Sequence, residues 1–284
     1  MKRVGATDTS IEAERVLADA YRRMSPARKL GLQAADHRTE RALHDAGRLA
    51  RDPASTLLDL RRSWNLSRLG RGPWIDREDL PVDEPIDNLE VVREVTSAFT
   101  RLGIPYAIGG SWASSLHGEP RSTRDADITV EPFPGREPEL VAGFGPDYYV
   151  SLEAVKEAVR EARTFNIINT IAGFKVDVFV RKDSAFARSV MARRAEVPTG
   201  GIPGPGLVMV SAEDIILLKL EWYRLGGEIS ERQWLDILGI FRVQADRLDQ
   251  AYLDLWGADL GVADLLGDAR RDAAAGSIRP SPGG

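Results

Sequence analysis

The alternation of apolar and polar positions divides the chain into a helical N-terminal stretch, a middle of strands and helices in alternation, and a helical end. From Ile11 to about Leu49 the chain is rich in Ala, Arg, Glu and Leu and is broken at "MSPARKL". There Ser25 suits an N-cap and Pro26 a first helical position, so two helices are expected. A third short helix is expected over "STLLDLRRSW". In "NLEVVREVTSAFTRLG" the residues Leu89, Val92, Val95, Phe99 and Leu102 share one helical face, and Gly103 suits a left-handed cap. Strands are then expected at "PYAI", "DADITVE", "DYYVS", "TFNIINTI", "FKVDVFV" and "LVMV", with helices around residues 111–117, 152–162 and 183–192. From Ser211 onward the pattern is helical.

Gly, Pro and acid concentrate in "GRGPWIDREDLPVDEP", and "AAAGSIRPSPGG" has too little apolar content to fold. The expected organisation is therefore a helical module over 1–72, a linker over 73–86, a domain of strands and helices over 87–210, a helical part over 211–272 and a flexible tail over 273–284. The fold class is α+β. At 284 residues and 43% hydrophobic composition the chain can bury a substantial core. It has no run of 18 apolar residues and no secretory pattern near Met1, so no membrane association and a cytoplasmic location are expected. With no cysteine and three scattered histidines, any metal should be held by oxygen.

Charge is unevenly spread. Residues 1–72 hold 15 Lys and Arg against 9 Asp and Glu, or +6, which leaves 23 against 34, or −11, for the rest. The basic part either binds a polyanion or carries the ordinary charge of solvated helix faces.

The candidate chemistry lies in "AIGGSWASSLHGEPRSTRDADITV". The period of a strand sets Asp125, Asp127 and Thr129 on one face and Ala126, Ile128 and Val130 on the other. In "FKVDVFV" it sets Val176, Val178 and Val180 opposite Asp177. If these strands are neighbours, three carboxylates gather on one open face, where repulsion raises a pKa or demands a cation. Magnesium suits such a site, since it takes oxygen ligands from a few carboxylates together with substrate phosphates. Gly109 and Gly110 end a strand and Ser111 opens a short helix, an arrangement that lets phosphate approach free N–H groups at a positive helix end. Arg121 and Thr123 add a cation and a hydroxyl. Each piece has an ordinary alternative: a wet-face Asp, a tight turn, a surface Arg. No GxxxxGK[ST] loop or GxGxxG turn is present.

Together "GGSWASSLHGEPRSTRDAD" and "VDVFV" resemble the nucleotidyltransferase superfamily that includes DNA polymerase beta, in particular the bacterial group of AbiEii-type toxins. The resemblance spans roughly residues 88–245. It implies a mixed-sheet nucleotidyltransferase domain over 87–210 and an active site in which Asp125, Asp127 and Asp177 hold two magnesium ions. Asp177 would also position and deprotonate the acceptor hydroxyl, and Gly109, Gly110, Ser111, Arg121 and Thr123 would face the nucleotide.

In "SAEDIILLKLEWYR" the helical period places Ile215, Ile216, Trp222 and Tyr223 within about 60° of Lys219 and sends Glu213, Asp214, Glu221 and Arg224 to the far side. An unpaired ammonium there is costly, so Lys219 should either meet a buried anion or snorkel to water. The resemblance implies that it contacts nucleotide phosphates. "SERQWLDILGI" is similar to the family's last motif and makes Asp236 a further nucleotide-site residue, although Gln233 stands where the family often has an acid. Pairing of Asp236 with Arg232 on the surface is the alternative. His117 is open to a catalytic or a packing role.

The resulting expectation is a magnesium-dependent transfer of a nucleoside monophosphate from a nucleoside triphosphate to an acceptor hydroxyl. RNA, particularly a tRNA end, is the first acceptor, as in toxins of this group, with a protein antitoxin as a possible partner. A protein or aminoglycoside acceptor is the alternative, as is a nucleotide-binding regulatory protein without catalysis. "YRRMSPARKLGLQAADHRTERALHDAG" resembles a helical module of bacterial proteins that carries no activity of its own. It would guide tRNA, dock a partner or close over the cleft.

Overall fold

The computed structural model describes residues 11–72, 87–198 and 206–275. The expected linker over 73–86 lies outside them, as does the expected tail over 273–284 except for residues 273–275, which are helical instead. In chain order the elements are α1 (Ile11–Arg23), α2 (Pro26–Arg51), α3 (Leu57–Leu69), α4 (Asn88–Arg101), β1 (Tyr106–Ile108), α5 (Gly110–His117), β2 (Asp125–Val130) and α6 (Glu137–Ala142). There follow β3 (Tyr148–Val150), α7 (Leu152–Glu161), β4 (Thr164–Asn169), β5 (Phe174–Val180), α8 (Ala185–Arg193), β6 (Ala195–Val197), β7 (Leu207–Met209), α9 (Ala212–Leu225), α10 (Glu231–Gln244), α11 (Gln250–Asp259) and α12 (Ala263–Ala275). None of the described helices is long and apolar enough to cross a membrane.

These elements form two compact units. One takes its described residues from Leu30–Ile108 and Ser122–Ala187, the other from Met1–Lys29, Gly109–Arg121 and Arg188–Gly284. The helices expected to form a module over 1–72 are thus divided. Helix α1 and the first turn of α2 belong to one unit, and the rest of α2 with α3 to the other.

The sheet unit is α+β. Its strands run in the order β3-β4-β5-β2-β1. The β2–β5 pair is parallel and the other pairs are antiparallel, so the sheet is mixed. Helix α4 starts at Asp87, whose carboxylate caps the Glu90 amide, and buries Leu89, Val92, Val95 and Phe99. Leu102 falls beyond the helix as its cap residue, and Gly103 then takes a left-handed φ of 60°. The alternation read in "DADITV" holds, since Ala126, Ile128 and Val130 are buried and Asp125, Asp127 and Thr129 are only half-buried.

Helix α3 begins with a capping box between Thr56 and Asp59. It grips the turn between β4 and β5. Trp64 Nε1 donates to the Ala172 carbonyl at 2.7 Å and Asn65 Nδ2 to the Thr170 carbonyl at 2.8 Å, both buried. Gly173 has a φ of +63°, and a Cβ there would lie 2.5 Å from the Trp64 ring. Only glycine allows this backbone and this approach together. His37, 3% exposed, meets Trp64 and Phe174 edge-on with ring centroids 5.8 and 5.9 Å away.

In the helical unit, β6 and β7 form an antiparallel pair with Ala195 opposite Met209. Trp234, Ile237, Leu238 and Ile240 of α10 are buried with Ile216, Leu217 and Leu220 of α9. Gly118 lets the end of α5 approach α10 closely, since a Cβ there would lie 2.8 Å from the Ile240 nitrogen. Two N-terminal cations close helix ends in this unit. Arg22 donates to the Arg242 and Val243 carbonyls at 2.7 and 2.8 Å, and Lys29 to the Leu116 carbonyl at 2.7 Å. Such contacts satisfy carbonyls that a helix C-terminus leaves unpaired.

Three readings of the pattern need correction. Helix α6 and strand β6 were not expected; each is short, and β6 exists through its pairing with β7. Trp222 is 55% exposed rather than part of the apolar arc of α9; Leu225 at the end of that helix and Ile229 after it are exposed too, whereas Tyr223 of the same turn is buried against Trp234. Glu213 and Asp214, on the far side of α9 from Lys219, are buried as well. Arg193 and the Asp249 amide bind Glu213, while Tyr252 and Ser211 bind Asp214.

Two stability measurements follow. Gly173→Ala should lower unfolding free energy by about 1–3 kcal/mol through strain and overpacking. Gly145→Ala, where a Cβ would meet nothing within 4 Å, should leave it nearly unchanged; urea unfolding of both variants checks the contrast. Burial, reinforced by the Arg68 charge and opposed by Asp87 and Glu40, lowers the pKa of His37 to about 4. A histidine depressed in the fold contributes stability that is complete above about pH 6.5 and declines as the pH falls toward 4. His37→Phe should flatten that part of the stability–pH curve.

Candidate active site

The parallel pairing of β2 with β5 places Asp125 beside Lys175 and Asp127 beside Asp177. Residues two apart share a strand face, so Asp125, Asp127, Lys175 and Asp177 lie on the open side, opposite the buried Ala126, Ile128, Val176 and Val178. Thr123, 3% exposed, donates its hydroxyl to the Asp125 carbonyl at 3.1 Å and the Asp125 carboxylate at 3.2 Å. Behind it, Arg68 reaches the Thr123 carbonyl at 3.4 Å and Glu40 at 2.6 Å, and Ser122 donates to Glu40 at 2.9 Å. Helices α2 and α3 thereby brace the strand segment that carries the Asp-x-Asp pair.

Asp177 is held on both oxygens. Lys175 Nζ donates to Oδ2 at 2.7 Å and Asn166 Nδ2, from β4, donates to Oδ1. Among the described residues no group of three or more His, Cys, Asp or Glu side chains is placed to hold a metal ion. Asp125 and Asp127 offer oxygen donors only, and two carboxylates completed by substrate phosphates are a usual provision for magnesium. The donor chemistry of this pair therefore fits that ion, whereas Asp177 is already engaged by a protein cation.

A second set gathers in the helical unit. Gly110, with a φ of 51°, turns the chain into α5, whose N-cap Gly109 makes no side-chain cap. Ser111 follows in the first turn. Its hydroxyl accepts a hydrogen bond from Arg121 Nη2 at 2.8 Å, and Arg121 also grips Asp236 through Nε and Nη2, each at 2.7 Å. Lys219 Nζ donates to the same carboxylate at 2.8 Å. The Asp236 and Lys219 side chains are 7% and 9% exposed. Burial pushes the Asp236 carboxyl up, but hydrogen bonds from Arg121 and the charges of Lys219 and Arg121 outweigh it and hold the group below the usual carboxylate value.

Of the residues singled out in the sequence, Asp125, Asp127, Asp177 and Thr123 gather at one sheet, and Ser111, Arg121, Lys219 and Asp236 meet in one network around the buried Asp236 carboxylate. Gly109 and Gly110 belong to the same unit as the network. Lys219 has a buried anionic partner rather than a snorkelling head group. Asp236 pairs inward with two cations rather than on the surface with the exposed Arg232. His117 packs: it is half-buried, its Nε2 donates to the Val210 carbonyl at 2.8 Å, and desolvation lowers its pKa. Sequence reasoning missed Lys175, Asn166, Arg68 and Glu40. Lys175 was within reach, since it stands two residues before Asp177 on the same face.

No family model and no curated protein matches the chain. Among solved structures, the solution structure of the antibiotic-resistance factor ANT(2'')-Ia aligns with a TM-score of 0.36 at 16% identity, over 66% of this chain and 95% of that one. The crystal structure of ANT(2'')-Ia in complex with adenylyl-2''-tobramycin aligns with a TM-score of 0.39 at 20% identity, over 61% and 96%. At these levels of similarity the chain's own residues must carry any functional reading.

The shared carboxylate makes an asymmetric prediction. Asp236→Asn leaves the buried Lys219 ammonium without its anion and should cost about 3–5 kcal/mol of stability. Lys219→Met leaves the Arg121 pairing in place and should cost less, about 1–3 kcal/mol. Denaturant unfolding of the two variants measures the difference. Because Asp236 is depressed in the fold, its contribution is complete above its unfolded pKa and is lost as the pH falls through the lower folded value.

Proposed function

We propose that the chain is a magnesium-dependent nucleotidyltransferase that moves a nucleoside monophosphate from a nucleoside triphosphate to an acceptor hydroxyl. The observation that supports this most directly is the register of β2 and β5, which sets Asp127 beside Asp177 on the face that also carries Asp125. Magnesium, when bound, would stabilise the attacking and leaving oxygens of an in-line displacement at the α phosphorus. Asp125 and Asp127 would hold that ion through their carboxylate oxygens, Asp177 would join them once Lys175 releases it, and Thr123 fixes the orientation of Asp125. Asp177 also takes the proton of the acceptor hydroxyl as its oxygen bonds to phosphorus and the bond to the β-phosphate oxygen breaks, releasing pyrophosphate.

For the helical unit, taken by itself, a phosphate-binding role is proposed. The amide groups that open α5 at Gly110 and Ser111 suit phosphate oxygens. Lys219 and Arg121 supply positive charge, and Asp236 holds both cations in place. Lys219 gives one of its three N–H donors to Asp236, so the ammonium can serve a phosphate as well.

RNA is the first acceptor proposed, a tRNA end in particular, as the toxin-like motifs imply. The basic charge of 1–72 supports it less than its sum suggests, because Arg22, Lys29, Arg41, Arg48 and Arg68 are bonded within the protein. The −11 carried after residue 72 favours a second reading, a cationic hydroxyl acceptor such as an aminoglycoside.

The experiment is incubation with each labelled nucleoside triphosphate and magnesium, separately with tRNA, cell protein and aminoglycosides, followed by recovery of label. Transfer to one acceptor class is expected; binding of nucleotide without transfer to any would point to a regulatory protein. Asp125→Asn and Asp127→Asn should each lower turnover on the order of 100-fold or more while the fold survives. Lys219→Met should weaken nucleotide binding or turnover by about 1.5–3 kcal/mol. Unchanged activity in both aspartate variants would remove them from the mechanism.

A further inference from the structure

We infer that Lys175 is a built-in counter-ion for the site, which occupies Asp177 and sets how tightly the sheet face takes a divalent cation. The inference rests on the metal-binding role proposed above for the carboxylates. Three observations carry it. Lys175 lies on the same strand and face as Asp177, and its ammonium sits 2.7 Å from Oδ2. In the parallel register it stands directly beside Asp125 of the Asp-x-Asp strand. The other oxygen of Asp177 is taken by Asn166, which faces Asp177 across the β4–β5 pair.

The consequence is a competition of like charges for one carboxylate. The Asp177 side chain is 16% exposed, and in such a partly shielded place an ammonium and a divalent cation cannot both approach the same oxygen without strong repulsion. Bringing Asp177 to a metal requires the ammonium to swing away. The Lys175 side chain is 36% exposed and sits on a flexible four-carbon stem, so it has room to do so. Lys175 thus keeps three carboxylates on one face compatible with a folded, metal-free protein, and it weakens metal binding until a nucleotide brings additional phosphate oxygens. It acts through Asp177 and is a positioning residue.

The test is binding of manganese(II) alone to the full chain without nucleotide, followed by electron paramagnetic resonance of the free ion. Lys175→Met removes the charge and keeps the stem, and it should tighten binding about tenfold, the scale of one charge-assisted hydrogen bond. Lys175→Gln should tighten it in the same direction, and Lys175→Arg, which preserves the charge, should stay at the wild-type affinity. Circular dichroism confirms that each variant is folded, and Gln serves if Met perturbs the strand. Binding by Met and Gln variants no tighter than wild type, with Asp127→Asn abolishing it, would overturn the counter-ion role and leave the metal site standing. Equal binding by wild type and Asp127→Asn, or none by any variant, would overturn both.

Discussion

Everything proposed for the sheet unit depends on the parallel pairing of β2 with β5. A parallel register fixes which residues stand side by side along the whole length of both strands, and here it aligns Asp127 with Asp177 and Asp125 with Lys175. The pairing is secured from the opposite face, where Ala126, Ile128, Val176 and Val178 are fully buried. A slip of either strand by one residue would turn that strand's apolar set to the open face, so the burial of these side chains enforces the alignment of the carboxylates. The charged face exists because the apolar face cannot move.

The helical unit is organised around a different constraint, the burial of a carboxylate with two cations. Desolvating a carboxylate and an ammonium is expensive, and it is tolerated only when geometry and hydrogen bonding are close to complete. Asp236 receives two bonds from Arg121 and one from Lys219, and the Ser111 hydroxyl accepts from Arg121 in turn. This links α5, α9, α10 and the segment after α5 through charge, where an apolar core would link them through shape alone. Such a network holds long cationic side chains in defined positions, as a phosphate-binding role requires.

The N-terminal helices change meaning once their contacts are known. Their excess of positive charge suggested an element facing a polyanion. Much of it instead serves the fold: Arg22 and Lys29 close the C-terminal ends of α10 and α5, and Arg68 ties α3 to Glu40 and to the strand approach at Thr123. Trp64 and Asn65 clamp the turn that leads into β5. These helices are structural parents of the candidate site, and removing them would strip buried side chains such as Leu30, Ala34 and Trp64 from the described core.

The sequence by itself determined the elements whose periodicity is strong and local. The alternation in "DADITV" and "FKVDVFV" specified two strands with acids on one face, and the spacing in "NLEVVREVTSAFTRLG" specified α4 with its buried stripe. It also marked Lys219 as needing a partner, since an ammonium amid isoleucines has few tolerable environments. The tertiary structure alone decided that β2 and β5 are parallel neighbours, that the partner of Lys219 is Asp236 shared with Arg121, and that Lys175 and Asn166 hold Asp177. Strand β6 belongs to the same class, because a three-residue strand is created by the strand it pairs with. Local pattern reports which face of an element is apolar. Pairing, register and the choice among charged partners arise from which faces meet, and that depends on residues as far apart as Arg121 and Asp236.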